Sequence, residues 1–224
     1  MASKIKKINP WKNIILFSFT TRPLFSTYYF LTTYKDVQII EIFLKGFTNT
    51  GYLLIGFSLL IGSLAKFWNY FDTYLHYRKK LGIIGFFYIL LHGFVGTLIY
   101  VFPNPLILWD NFWAVFYGIL GLVLFFICYC ISEIVVIRLL GPKLWRRLIR
   151  YISYTAFIFG TIHLFLAKYV VWQEYIMSDR IFPPISLPLF VFGISILILR
   201  FYVFLFDTFH LGKDTVQGII SKNS

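Results

Sequence analysis

The sequence predicts an all-α fold, a polytopic membrane helical bundle with about six transmembrane helices and both termini in the cytoplasm. Hydrophobic residues make up 59% of the chain and charged residues only 13%, whereas soluble domains are about 45–50% apolar. Apolar runs long enough to cross a bilayer of about 30 Å recur along the sequence. A large soluble domain is therefore not expected within these 224 residues.

The first predicted element, residues 1–40, is a basic N-terminal segment followed by a weak span. Arg22 and Pro23 interrupt this span, so it either crosses the membrane with Arg22 facing protein or lies in the interface. No small-residue cleavage site follows it, and a removed signal peptide is not expected. Residues 35–45 mix charged and apolar side chains and suit a short interfacial helix.

Five stronger spans follow within residues 41–206, the predicted core domain. They cover residues 47–67, 81–102, 112–137, 148–171 and 187–206. A loop is expected over residues 66–80, and Pro103 and Pro105 end the span before them because proline does not continue a helix. Residues 207–224 are predicted to form a short cytoplasmic tail.

The distribution of charge and the cysteine content argue against a nucleic-acid-binding protein and against a disulfide-rich or CxxC-containing one. With the N-terminus inside, the inner segments hold 16 of the 21 basic residues, as the positive-inside rule expects. The net charge of +12 therefore reports topology and does not indicate nucleic-acid binding. Cys128 and Cys130 lie in one apolar run and form no CxxC motif, so both are expected to be buried apolar residues.

Two histidines near the middle of apolar spans are the strongest functional signal. An ionisable residue at such depth is rare and usually functional. At 1.5 Å per residue, His92 lies about 16 Å and His163 about 22 Å from the cytoplasmic starts of their spans, which are compatible depths given boundary uncertainties. We interpret them as the axial ligands of one haem. The alternative is that each histidine hydrogen-bonds a neighbouring span.

Small residues share the helix faces of these histidines, in a 3-4 spacing. The predicted haem-facing residues are Gly85, Gly96, Ala156, Gly160 and Ala167. A flat macrocycle between two helices needs the backbone close on each side, which small residues allow. Close helix packing explains the same pattern without a cofactor. His76 and His210 are expected to be surface or interfacial histidines.

Basic residues cluster at the cytoplasmic ends of the two histidine spans. Arg78, Arg147 and Arg150 are candidate contacts for the phosphate of a flavin or for haem propionates. The alternative is that they reflect topology and contacts with lipid phosphates. The chain has no GxGxxG motif after a strand, so the electron donor is expected to be another molecule, a flavin with its reductase or a membrane quinol.

Two segments resemble the ferric reductase-like transmembrane domain family. YRKKLGIIGFFYILLH is similar to that family's R-R-x-L-G…F-x-Y…L-H segment, and LGPKLWRRLIRYISY…IH to its L-G-x-x-W…L-H-R-L-x-Y…L-H segment. The likeness covers about residues 41–205 and, by size, is closest to the stand-alone haem b membrane subunit of the bacterial methionine sulfoxide reductase system. It implies six helices, a bacterial inner (plasma) membrane location, and a b-type haem held by His92 and His163. Ile149 and Arg150 stand where the family usually has a histidine, so no second haem is implied.

The predicted function is therefore electron transfer by a haem b membrane protein. Electrons would pass from a cytoplasmic-side flavin or quinol to an acceptor such as a periplasmic reductase, which makes the chain an oxidoreductase subunit that needs partner proteins. One haem b is expected, with FMN as a candidate second cofactor, and membrane lipid as a further partner. The alternatives are a non-haem scaffold or assembly subunit, and a proton-coupled transporter, which the absence of an internal repeat disfavours.

Overall fold

The computed structural model describes residues 10–32, 39–178 and 181–220, and the described residues are almost entirely helical. The α-helices are α1 (Pro10–Thr32), α2 (Ile39–Leu64), α3 (Arg78–Gly96), α4 (Ile107–Asp110), α5 (Phe112–Ile131), α6 (Ile134–Leu140), α7 (Pro142–Ile176) and α8 (Ser186–Ile220). A 3-10 helix, Asn69–Tyr77, leads into α3, and a π-helical turn, Thr97–Val101, follows it. No strand occurs among these residues, which confirms the all-α class.

Five segments are long and apolar enough to cross a membrane, so the chain is an integral multi-pass membrane protein. These segments are Ile39–Leu64, Asn69–Val101, Phe112–Ile131, Pro142–Ile176 and Ser186–Phe206. Helix α1 is not among them, yet it runs antiparallel to α2. In the first half of α1 the Phe17 ring lies 6.1 Å from that of Phe57, in the second half of α2, and near the other end the Tyr29 hydroxyl donates to Glu41 in the first turn of α2 at 2.9 Å.

Arg22 in α1 faces protein. Its guanidinium lies 4.6 Å from the ring centroid of Phe47 and 5.4 Å from that of Phe43, both on α2. A guanidinium over an aromatic face is attracted by the ring electrons. The charge that weakens α1 as an apolar span is therefore directed at the neighbouring helix.

The predicted interfacial helix at residues 35–45 is wrong for residues 39–45, which are the first turns of α2. Residues 33–38 lie outside the described part of the chain. The helix tolerates charge here because Glu41 accepts a hydrogen bond from Tyr29 and also attracts Lys45, one turn further along α2. The expected loop at residues 66–80 is also wrong, since most of it is the 3-10 helix and the first turn of α3.

Helix α5 ends at Ile131, six residues before the predicted end, because side chains satisfy its last carbonyls. The Ser132 hydroxyl donates to the Cys128 carbonyl at 2.7 Å, the Trp145 indole donates to the Ile131 carbonyl at 2.8 Å, and the Lys79 ammonium donates to the Ser132 carbonyl at 2.6 Å. Such partners replace the missing intrahelical bonds.

Helices α7 and α8 are both longer than predicted. Gly141 has a φ of 72°, a conformation that favours glycine, and Pro142 then occupies the first turn of α7, where its missing N–H is no loss. Helix α8 continues past residue 206 to Ile220, over part of the predicted tail.

The five apolar helices pack as a ring in the order α2, α3, α5, α7, α8, and α8 packs back on α2. Tyr52 of α2 also reaches across to α7, where its ring stacks on Phe157 at 5.0 Å and its hydroxyl lies 2.8 Å from that of Thr161. This contact separates α8 from a group of four helices, α2, α3, α5 and α7, which we call the four-helix compartment.

Diagonally opposite helices of this compartment do not pack on each other. Over the fully described ranges of these helices, no α-carbon of α3 lies within 8 Å of one in α7, and the same holds for α2 and α5.

The two ends of the bundle carry different basic residues. We call the end of the bundle that carries Arg78, Arg150 and Arg200 the arginine end, and the opposite end, with Lys45 and Lys168, the lysine end.

Candidate functional site

The two predicted ligand histidines lie on diagonally opposite helices of the four-helix compartment, His92 on α3 and His163 on α7. Both side chains are half-buried, and their rings are close enough to interact electrostatically. The helices that separate them, α2 and α5, each contact both histidine helices. This is the arrangement in which helical bundles build cofactor sites, with side chains from facing helices directed inward.

The contacts that α3 and α7 make with α2 and α5 allow the depths of the two histidines in the bundle to be compared. The contacts that set the helix register are Gly51 with Ile89, Ile55 with Gly85, Tyr52 with Thr161, and Leu59 with Tyr154. They place His92 opposite Thr48 and His163 opposite Thr50, a difference of about 3 Å along α2. Along α5, the His163 ring lies over Gly118 and the Gly93 backbone lies near Leu122, a difference of about 6 Å. Their depths therefore agree to about one helical turn.

His163 is held in the form that binds a metal. Its Nδ1 lies 2.7 Å from the backbone carbonyl oxygen of Ala114, and a carbonyl only accepts, so Nδ1 carries the proton. Nε2 then keeps a free lone pair, as in many metal-ligating histidines. A Cβ at Gly118 would lie 2.8 Å from Nδ1, so only glycine at this position lets the imidazole lie flat against α5.

Polar groups without a partner collect at the level of the histidines. In the described part of the chain, the buried side-chain nitrogen and oxygen atoms without a hydrogen bond are His92 Nδ1, Asn49 Nδ2 and Thr50 Oγ1. Asn49 is only 6% exposed and Thr50 is fully buried, and both lie on the turn of α2 opposite the histidines. Buried polar groups in native structures are nearly always hydrogen-bonded. These three atoms therefore need hydrogen-bond partners that the described residues do not supply.

Two of the five predicted small residues border open space. A Cβ at Gly96 or at Gly160 would meet no atom within 4 Å outside its own helix. Gly96 lies one turn beyond His92, and Gly160 one turn before His163. Ala167, one turn after His163, is half-buried.

The other two small residues are used in helix packing. A Cβ at Gly85 would lie 2.8 Å from the carbonyl oxygen of Gly51, so α3 and α2 approach closely there. Ala156 is fully buried, and a Cβ at Gly121 of α5 would lie 3.2 Å from its carbonyl oxygen. For this pair, the packing alternative accounts for the small side chain.

The predicted arginine cluster is rearranged at the arginine end. Arg78 donates from Nε to the Ser58 carbonyl at 3.0 Å, and it interacts electrostatically with Arg150, Arg200 and Tyr154. None of these groups is a carboxylate. Arg200 of α8, whose guanidinium lies 5.0 Å over the Tyr154 ring, was not predicted from sequence.

The remaining predicted positions lie apart from this site. Arg147 is exposed. His76 is exposed on the 3-10 helix, its ring 4.1 Å from that of Tyr77, and the His210 side chain lies outside the description. Cys128 is buried, but Cys130 is exposed, because residues two apart on a helix point about 200° from each other. The expectation that both cysteines are buried is therefore wrong for Cys130.

Within the described ranges of the chain, the two histidines are not part of a larger group of metal-ligating side chains. Among the described residues, no group of three or more His, Cys, Asp or Glu side chains could hold a metal ion. Lys45 and Lys168, which act electrostatically on both histidines, are additional charged groups near the pair that sequence reasoning missed. Comparison of the sequence with protein-family models gave no match, and comparison with curated proteins gave none either.

Proposed function

We propose that the chain is a haem b-containing integral membrane electron-transfer protein of the ferric reductase-like type, in a bacterial inner membrane. Electrons pass from a flavin or quinol donor on the cytoplasmic side to an acceptor on the other side, such as a periplasmic reductase. The observation that carries the proposal is the histidine pair: His163 with Nδ1 held by a carbonyl and Nε2 free, and His92 on the diagonally opposite helix.

The residues present fit a bis-histidine haem better than a bare metal ion. A lone ion needs about four protein ligands or water, whereas haem iron takes its equatorial ligands from the macrocycle and leaves two axial positions. Helices α3 and α7 do not pack directly on each other, and a Cβ at Gly96 or Gly160 would meet no neighbouring atom within 4 Å; both observations favour a flat group between these helices. Haem bound there supplies one-electron redox chemistry at its iron.

The surrounding side chains fix the ligands and close one wall. The Ala114 carbonyl orients the His163 imidazole and increases its basicity. Tyr52 and Phe157, stacked at 5.0 Å, close the compartment towards α8. The apolar walls limit access of water to the space between the histidines, which is one means by which a protein sets a redox potential.

The arginine end is proposed as the side from which electrons enter. Arg78 and Arg150 carry positive charge there without a neighbouring carboxylate among the groups that act on Arg78. A guanidinium binds phosphate in a planar, bidentate way, so this end suits the phosphate of FMN or of another flavin donor.

The test is the dithionite-reduced minus oxidised visible spectrum of the detergent-purified full chain. Wild type should show a b-type signal at about one haem per chain, and His92→Ala and His163→Ala should each lose it because each removes one of the two axial ligands. His76→Ala is the matched control, since His76 is an exposed histidine outside the compartment, and it should keep the signal.

A flat spectrum from well-folded wild type, still flat after reconstitution with haem, would refute the proposal and leave the scaffold alternative. A signal that survives both ligand substitutions would place the haem elsewhere. If haem-free protein in vesicles instead took up a solute faster when a proton gradient was imposed, the transporter alternative would be favoured.

A further inference from the structure

The lysine end contains two lysines that the helix register brings together. Helices α2 and α7 are antiparallel and touch where Leu59 meets Tyr154 and, seven residues along each helix, where Tyr52 meets Thr161. A further seven residues along each helix reach Lys45 and Lys168. Because seven residues are close to two full turns, these positions share the same contact face. Lys45 and Lys168 accordingly lie near enough to interact electrostatically.

Among the residues that the structure describes, the charged groups acting on this pair leave it with excess positive charge. Among the described residues, Glu41 is the carboxylate that acts on Lys45, and it also accepts a hydrogen bond from Tyr29. With both amines protonated, one carboxylate beside two ammonium groups leaves a net charge of +1, and like charges at close range in a half-buried site destabilise each other. An anionic group between the lysines would relieve this repulsion.

The pair is also close to the histidines. Both lysines act electrostatically on His92 and on His163. Lys45 precedes Thr48, the residue opposite His92, by three positions, or about 5 Å along α2. Lys168 follows His163 by five positions, or about 8 Å along α7, and a lysine side chain is long enough to reach back over such a distance.

We propose that Lys45 and Lys168 bind the two propionate carboxylates of the haem. This inference rests on the proposed function and deepens it by naming the residues that hold the charged edge of the cofactor. Two ammonium groups and two carboxylates match in number and sign, and charge-assisted hydrogen bonds between them are among the stronger ones in proteins.

The arginine end is too far from the histidines for this role. The Arg78 guanidinium bonds the carbonyl of Ser58, which is ten residues from Thr48, or about 15 Å along α2. Arg150 precedes His163 by thirteen residues, or about 20 Å along α7. A propionate arm has only two methylene groups. The sequence analysis considered a flavin phosphate and the haem propionates as ligands of the arginines. These distances favour the lysines for the propionates, so the flavin phosphate is the ligand that remains for the arginines.

The experiment compares haem with its dimethyl ester, in which both carboxylates are blocked and uncharged. Each is titrated into the full-length apoprotein in detergent and followed by absorbance. Wild type should bind haem at least tenfold more tightly than the ester, the effect of losing one charge-assisted hydrogen bond. Lys45→Met and Lys168→Met should each weaken haem binding about tenfold and reduce the preference for the free acid.

Two further variants keep the test decisive. Lys143→Met removes an exposed lysine near the start of α7 and should change nothing, whereas Lys45→Arg should restore most of the preference for haem. Equal affinity of wild type for haem and ester, or unchanged haem affinity in both methionine variants, would overturn the lysine assignment and leave the histidine site intact. Failure of wild type to bind either compound would instead refute the proposed function.

Discussion

Gly118 offers the most direct test of how His163 is held. In Gly118→Ala, the new Cβ would lie 2.8 Å from the His163 Nδ1, whereas ordinary contacts begin at 3.4 Å, so the ring must withdraw by about 0.6 Å. The hydrogen bond to the Ala114 carbonyl, now 2.7 Å, would lengthen to about 3.3 Å, beyond the usual range for N–H···O bonds. Loss of such a partner typically weakens metal binding by 10–100-fold.

We therefore expect Gly118→Ala to raise the Kd for haem about tenfold, or about 1.4 kcal/mol, measured by titration of the apoprotein. The reduction potential should also rise, because an imidazole without its Nδ1–H acceptor donates less charge to ferric iron. Gly82→Ala is the matched control, since its Cβ would lie 3.6 Å from the Ser58 hydroxyl, an ordinary contact. If Gly118→Ala binds haem with wild-type affinity and potential, His163 is not held against α5 in the loaded protein.

Two substitutions test the packing that forms the compartment. Tyr52→Phe removes a buried hydrogen bond to Thr161 of 2.8 Å and should lower the free energy of unfolding in detergent by about 1 kcal/mol; an unchanged denaturation midpoint would contradict this. Gly51→Leu places a side chain where even a Cβ lies 3.0 Å from the Gly85 carbonyl oxygen, and should abolish the monodisperse peak in size-exclusion chromatography. A stable, monodisperse Gly51→Leu protein would show that α2 and α3 are not in close backbone contact there.

Composition and hydropathy were enough to predict the fold class and the five strong spans, because apolar runs of membrane length have few alternatives to a helix. Boundaries were less predictable where side chains from distant positions intervene. Helix α5 ends early because Trp145 and Lys79 satisfy its terminal carbonyls, and α2 starts early with a charged first turn because Glu41 accepts a hydrogen bond from Tyr29 of α1. Neither partner is visible in the local sequence pattern.

Some features of the candidate site could likewise be predicted from the sequence, and others could not. His92 and His163 were predictable from their depth in apolar spans, since an intramembrane histidine is conspicuous in any sequence. The acceptor for His163 is a backbone carbonyl, which any residue at position 114 would supply, so its identity carries no signal. The small-residue pattern was ambiguous for a physical reason: a Cβ at Gly85 would lie 2.8 Å from the Gly51 carbonyl oxygen, whereas a Cβ at Gly160 would meet no atom within 4 Å, although the Gly160 backbone nitrogen itself lies near Gly121 of α5.

In the proposed function, the position of the histidines along the bundle limits how electrons can reach the haem. Measured along α2, their level at Thr48 is about 5 Å from Lys45 and about 15 Å from Ser58, which accepts from Arg78. In the proposed function a donor at the arginine end is thus separated from the histidine level by several helical turns, whereas an acceptor at the lysine end lies within about one. A flavin whose phosphate is bound by Arg78 and Arg150 would shorten the longer gap if its ring extends into the bundle. Loss of electron entry in Arg150→Ala, with the haem spectrum unchanged, is therefore the result that this arrangement requires.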